Sequence, residues 1–208
     1  MTLERSCEIR LPGEICLPVL ETERLVLRTP RLEDAAAIAA MADDPAVAVN
    51  TALIPHPYRK QDAEAWIAQL AGPDDDGATF GIYPKHRDTF AGACGLNRLD
   101  GAMHLGYWLG APYRNAGVAT EAARAIIDFA FTRLSLPEIT SAARVTNAAS
   151  RRVLEKCGFQ WTGVGLVRVK ALGASVPVDR FRLDRKTWAS LRAWGAMPLT
   201  EGPSIQAA

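Results

Sequence analysis

The chain has 208 residues, 49% of them hydrophobic and 23% charged, with 24 basic and 23 acidic residues giving a formal charge of +1. That length suits one domain with enough chain to bury a real core. The near-balance of charge leaves no strong electrostatic case for nucleic acid or an anionic membrane as a partner, a local basic patch apart.

The first segment, MTLERSCEIRLPGEICLPVL, is interrupted by Glu4, Arg5, Glu8, Arg10 and Glu14, so it lacks the continuous apolar run of a secretory leader. No other stretch approaches the roughly 20 apolar residues of a membrane span. Cys7, Cys16, Cys94 and Cys157 are far apart and form no CxxC pair, which argues against a zinc ribbon or a dithiol redox motif. Free, mostly buried thiols in a reducing cytoplasm are the expectation.

ERLVLRTP (23–30) reads as a strand, and Arg31 to Ala42 as a helix with Leu32, Ala36, Ile38, Ala39 and Ala42 on a helical period. A proline-rich loop through Pro45, Pro55 and Pro57 leads to a second helix from Gln61 to Leu70, and PDDDG (73–77) is a turn cluster. Three strands follow: ATFGIYP (78–84), DTFAGACGLNRL (88–99) and MHLGYWLG (103–110), the last two joined at an Asp100-Gly101 hairpin signal. The next helix carries a buried stripe of Val118, Ala122, Ala125, Ile126, Phe129 and Ala130, and ends before Pro137. EITSAARVT (138–146) is a further strand. Asn147 to Lys156 forms a short helix, with Asn147 as N-cap and Gly158 as stop. FQWTGVGLVRV and SVPVDRFRL close the series as two strands. Trp188, Leu191 and Trp194 suggest a last amphipathic helical turn or two, before a disordered MPLTEGPSIQAA. The alternation predicts an α/β (α+β) domain: a mixed, largely antiparallel sheet of about seven strands flanked by about four helices.

The stretch YRNAGVATEAARAIIDFAF (113–131) raises a chemical possibility. A helix start exposes unpaired N–H groups and the positive end of the dipole. Gly117, between Ala116 and Val118, lets a phosphate approach the backbone, and Arg114 can add a charge-assisted contact. Alone, this pattern also describes an ordinary loop-to-helix junction. Together with NAASRRVLEKCGF (147–159) and the opening ETERLVLRTPRLEDA, however, GYWLGAPYRNAGVATEA (106–122) resembles the GNAT superfamily of acyl-CoA-dependent N-acetyltransferases. The RimJ/RimL-like branch, which contains ribosomal-protein alanine acetyltransferases, is the nearest in pattern, and the resemblance covers residues 20 to 185.

The resemblance implies acetyl-CoA as cosubstrate, with no metal, and a sheet splayed between the fourth and fifth strands, 103–110 and 138–146. It implies that the amides of Asn115, Ala116, Gly117, Val118, Ala119 and Thr120 bind the pyrophosphate, with Arg114 beside them. The backbone of Trp108 and Leu109 would pair with the pantetheine arm, Asn147 would help to hold it, and the Leu109 amide would serve as oxyanion donor. His104 stands two residues before Gly106, where many members carry a glutamate base, and is the candidate general base; equally, it is a strand histidine that fills space. The tyrosine common in the second motif is replaced by Leu154, and Ser150 is the candidate thiolate partner as well as a good first-turn residue. Asp43 and Asp44 could greet a cationic amine, although Asp-Asp-Pro is also an ordinary helix terminus.

The expected organisation is an N-terminal extension (1–19), an N-acetyltransferase domain (20–186) and a C-terminal helical turn with tail (187–208). The expected reaction transfers acetyl directly to a primary amine, in the cytoplasm, by a monomer or homodimer. The acceptor stays open between a protein N-terminus and a small-molecule amine such as an antibiotic or metabolite. A non-catalytic acyl-CoA-binding module is the alternative from another class.

Overall fold

The computed structural model describes residues 17–70, 77–87 and 89–195. The N-terminal segment up to Cys16, most of the PDDDG turn and the tail from Ala196 lie outside the described residues. Eight strands form one sheet in the order β1-β2-β3-β4-β5-β6-β8-β7. They are β1 (Leu20–Glu21), β2 (Leu25–Arg28), β3 (Ala78–Pro84), β4 (Gly92–Leu99), β5 (Ala102–Leu109), β6 (Glu138–Arg144), β7 (Gln160–Val169) and β8 (Ala174–Asp184). The helices are α1 (Ala35–Ala42), α2 (Pro45–Ala48), α3 (Lys60–Leu70), α4 (Val118–Thr132), α5 (Ala148–Lys156) and α6 (Arg185–Gly195).

The α/β class and the largely antiparallel sheet agree with the sequence, and three elements extend beyond it. The two-residue β1 exists only through its pairing with Val26 and Leu27, a tertiary contact that leaves no periodic signal. The proline-rich loop contains α2, a single turn capped by Asp44, whose carboxylate accepts the Ala46 N–H at 2.8 Å. At the C-terminus, α6 is longer than a turn or two because Trp188 packs against Phe131, with ring centroids 5.1 Å apart, and donates its indole N–H to Asp128 at 2.8 Å.

The main core lies on one face of the sheet. There Ala122, Ile126, Phe129 and Ala130 of α4 meet Phe80, Ile82, Leu105, Ile139 and Phe181 of the strands, with Leu154 of α5 beside them. On the opposite face, Ala35, Ile38 and Ala63 of the α1–α3 region pack on Tyr83, Phe90 and Ala93. Asp100 and Gly101 both take positive φ (51° and 81°) in the β4–β5 hairpin, as the Asp-Gly pair implies.

The β5–α4–β6 unit sets up the site. β5 pairs with β4 along its whole length, from Leu99↔Ala102 to Gly92↔Leu109. Its parallel pairing with β6 holds at one position, His104↔Thr140. Beyond it the strands part, between the fourth and fifth strands of the sequence reading, and α4 begins where β5 ends.

Ile126 is fully buried at the centre of the main core. Ile126→Ala should lower stability by about 2–5 kcal/mol, read as a lower urea midpoint with an unchanged m-value.

Candidate acyl-transfer site

The site is a cleft opened by strand divergence, with main-chain donors on two of its sides. The first side is β5. Gly110 N–H bonds Ala91 O at 2.9 Å, and the β4–β5 register is unbroken, so the period of two points the main chain of the even-numbered residues toward β4. The main-chain groups of Trp108 therefore belong to the β4 ladder, which departs from the sequence expectation. Those of Tyr107 and Leu109 face the cleft. Leu109 C=O accepts the Arg114 Nε–H at 3.0 Å, leaving the Leu109 N–H as a donor.

The second side is the turn into α4. Gly117 is the N-cap, with φ 79°, and Asn115 also lies in the left-handed region, with φ 62°. The first intrahelical bond runs from Glu121 N to Gly117 O. Among the described residues, the N–H groups of Asn115, Ala116, Gly117, Val118, Ala119 and Thr120 accordingly have no acceptor. Such a row at the positive end of a 15-residue helix has the donors and the field to receive an anion. Gly117 carries no side chain above it, and a left-handed φ there suits glycine.

Arg114 is placed beside this turn but is bound elsewhere. Besides the Leu109 carbonyl, it pairs with Asp44 through Nη2 at 2.7 Å. The charge assigned from sequence to a phosphate is thus matched by a carboxylate 70 positions away, and the ion pair ties α2 to the start of α4. Asp43 accepts the Tyr58 N–H at 2.8 Å and lies 3.1 Å from His56 Nδ1. Both aspartates are thus engaged by groups of the protein itself.

Across the cleft, the Asn147 side chain caps α5 by accepting the Ser150 N–H at 3.1 Å. Ser150 Oγ lies 2.9 Å from the Tyr107 hydroxyl, which also donates to Ser150 O at 3.0 Å. Tyr107 therefore bridges β5 to the first turn of α5 on the α4 side of the sheet. Burial raises its phenol well above the ordinary range, against a smaller lowering by the Ser150 bond, so it is a protonated donor at neutral pH. Sequence reasoning missed Tyr107. It stands in the quoted motif, but no local pattern shows that its hydroxyl meets a residue 43 positions later. The α5 turn is held from behind, where Arg151 Nη1 lies 3.0 Å from Asp179 Oδ2 and the Trp161 indole donates to Asp179 Oδ1 at 3.0 Å. Leu154 is wholly buried. Burial pushes the Cys157 thiol up to about 11, leaving it protonated packing and not a nucleophile.

His104 faces the other side of the sheet. Its Nδ1 lies 3.3 Å from Thr140 Oγ1, whose own hydroxyl donates to Met103 O at 3.3 Å. The one Thr140 hydrogen being committed, the pair bonds only if His104 carries its proton on Nδ1, which leaves Nε2 as an open acceptor. Burial, and then the charge of Arg180, lower the imidazole from its usual value, so it is neutral at pH 7. Next to it on that face, Gly106 has no heavy atom within 4 Å of where a Cβ would stand.

A parted parallel strand pair, a helix start with free amides and two hydroxyls at the split form the setting of acyl transfer from a thioester. Family comparison agrees. The acetyltransferase (GNAT) domain model matches residues 24–160. The chain belongs to the GNAT acetyltransferase family. An N-acetyltransferase p20 of Bacillus licheniformis, itself uncharacterised, is 32% identical over 178 residues, covering 83% of this chain and 99% of the relative. Two solved structures agree in fold. The ribosomal-protein-S5-alanine acetyltransferase of Vibrio fischeri has a TM-score of 0.69 at 21% identity, over 82% of this chain and 98% of that one. The microcin C7 self-immunity acetyltransferase MccE, in complex with acetyl-CoA and AMP, has a TM-score of 0.69 at 19% identity, over 78% and 93%. This GNAT chain is an N-acetyltransferase that uses acetyl-CoA as acyl donor. Among its described residues no helix is long and apolar enough to cross a membrane.

Gly117→Trp puts a side chain at a left-handed φ of 79°, with its Cβ 3.3 Å from Arg24 Nη2, and by blocking or distorting the turn should weaken coenzyme A binding by about tenfold or more without changing the overall circular dichroism spectrum. Calorimetric titration of the folded variant checks this, and an unchanged Kd would remove the turn from the binding site.

Proposed function

We propose that this acetyltransferase acetylates the α-amine of a protein N-terminus, which enters on the His104 and Gly106 face while acetyl-CoA occupies the β5–β6 cleft. The observation that carries the reading is the division of chemistry across the split. An imidazole that burial keeps neutral, bonded to Thr140 through Nδ1, lies on one face, and the Tyr107–Ser150 hydroxyl pair on the other. The open space beside Gly106 suits a thin, extended chain end. Fold likeness to a ribosomal-protein alanine acetyltransferase supports the acceptor class.

In this mechanism the pyrophosphate takes the amides of 115–120, and the pantetheine arm lies against the cleft-facing groups of Tyr107 and Leu109, with Asn147 on the far wall. The acceptor amine loses a proton to His104 Nε2, directly or through one water, and its nitrogen attacks the thioester carbonyl. The Leu109 N–H stabilises the developing oxyanion. When the C–S bond breaks, the thiolate takes a proton from the Ser150–Tyr107 pair and coenzyme A leaves as the thiol; the pair is reprotonated from solvent, to which His104 releases the proton it took from the amine. No covalent enzyme intermediate is needed, because both reactants are held together.

Burial of His104 fixes the direction of the pH dependence. Turnover should rise with pH through a pKa below the ordinary ~6.5 of histidine and be flat above it. His104→Ala should lose that acidic limb with little change in coenzyme A affinity; wild-type turnover across pH would exclude His104. Tyr107→Phe should lower kcat by about 100-fold or more while leaving the Kd for acetyl-CoA unchanged.

The acceptor class is tested with isotopically labelled acetyl-CoA and a cell extract separated into protein and small-molecule fractions. Label at protein N-termini, absent with Gly117→Trp, is the expected result. Label confined to small molecules would overturn the protein acceptor.

A further inference from the structure

Glu121 is an acidic residue in the first turn of α4, directly behind the free amides. An anion there should compete with any phosphate brought to the same amides, and a flexible carboxylate could fold back to cap them itself. The structure prevents both. Oε1 of Glu121 accepts the Thr22 hydroxyl at 2.6 Å and the Arg24 N–H at 2.9 Å. Oε2 accepts Arg24 Nε at 2.7 Å and lies 2.6 Å from Arg24 Nη2. Four donors from the segment entering β2 thus occupy both oxygens and hold the carboxylate away from the helix start. The same guanidinium donates through Nη1 to Ala116 O at 3.0 Å, inside the turn whose N–H groups are free. Its Nη2 lies 3.3 Å from where a Cβ of Gly117 would stand.

We propose that Arg24 is a positioning residue for the coenzyme: it neutralises Glu121 and fixes the Ala116 peptide, so that the 115–120 amides point outward and face no uncompensated negative charge. The proposal rests on the reading of that turn as the pyrophosphate site. Arg24 acts through Glu121 and Ala116, and its side chain is half exposed, so its effect is electrostatic and local and not a matter of core packing. Burial pushes the Glu121 carboxyl up, but the Thr22 and Arg24 hydrogen bonds and the guanidinium charge outweigh it. The group therefore stays ionised well into acid and needs its counter-charge throughout the working range.

The test uses coenzyme A and pantetheine, which lacks the pyrophosphate, as binding probes for the full chain. The variants are Arg24→Ala and the double variant Arg24→Ala/Glu121→Gln. The glutamine amide of the double variant keeps an oxygen for the Thr22 hydroxyl and the main-chain N–H of position 24 but carries no charge. Arg24→Ala should raise the Kd for coenzyme A about tenfold or more and leave that for pantetheine unchanged. The double variant should recover most of the coenzyme A affinity. Three results would overturn the proposal: unchanged coenzyme A binding in Arg24→Ala, equal loss for both probes, or a double variant as weak as the single one. The parent reading fails separately, if the wild-type chain binds coenzyme A no better than pantetheine.

Discussion

The parallel contact between β5 and β6 lasts for a single residue pair, His104 with Thr140, and the chemistry of the molecule depends on its stopping there. A ladder continued along β5 would satisfy the main chain of Tyr107 and Leu109 internally and leave nothing to bind an extended ligand arm. The split is stabilised from both ends. At its root, Thr140 and Ser141 donate side-chain hydroxyls to Met103 O and Leu105 O, the latter at 2.9 Å and buried. At its mouth, Arg114 and Asp44 tie the end of β5 to α2. The open strand edge is thus held apart by side chains, while Tyr107 reaches across to α5.

Charge is arranged in a related way. The amides at the start of α4 stay free because nearby carboxylates are engaged elsewhere: Glu121 by Thr22 and Arg24, Asp44 by Ala46 and Arg114. Arg114, placed by sequence at a phosphate, instead orders the loop that leads to the turn. The site consequently offers an anion backbone donors on a rigid helix, the kind of preorganised contact that loses little entropy on binding.

The fold was largely legible because its long elements carry strong periods. α4 shows a wide apolar stripe, the Asp100-Gly101 pair marks a hairpin, and Asn147 with Gly158 brackets α5 as cap and stop. Elements that depend on distant partners were not legible, such as β1, or were legible only in part, such as α6, whose length follows from the docking of Trp188 on α4. The same division applies to the site. The glycine turn announces itself locally. The Tyr107–Ser150 bond joins positions 43 apart and the Arg24–Glu121 pair positions 97 apart, and periodicity contains no information about such meetings. Trp108 was assigned to the cleft because a strand's direction can be read from sequence, whereas which of its alternate amides face a given neighbour is fixed only by register.

The central claim is that acetyl-CoA is received by two sets of main-chain amides, those of 115–120 and those on the open edge of β5. Amide-resolved NMR of the labelled protein, titrated with coenzyme A, tests it most directly. The largest shift changes should fall on residues 115–120 and on Tyr107 and Leu109, with the Trp108 amide, held in the β4 ladder, moving less. Saturable binding that left those amides unmoved while shifting a different surface would contradict it.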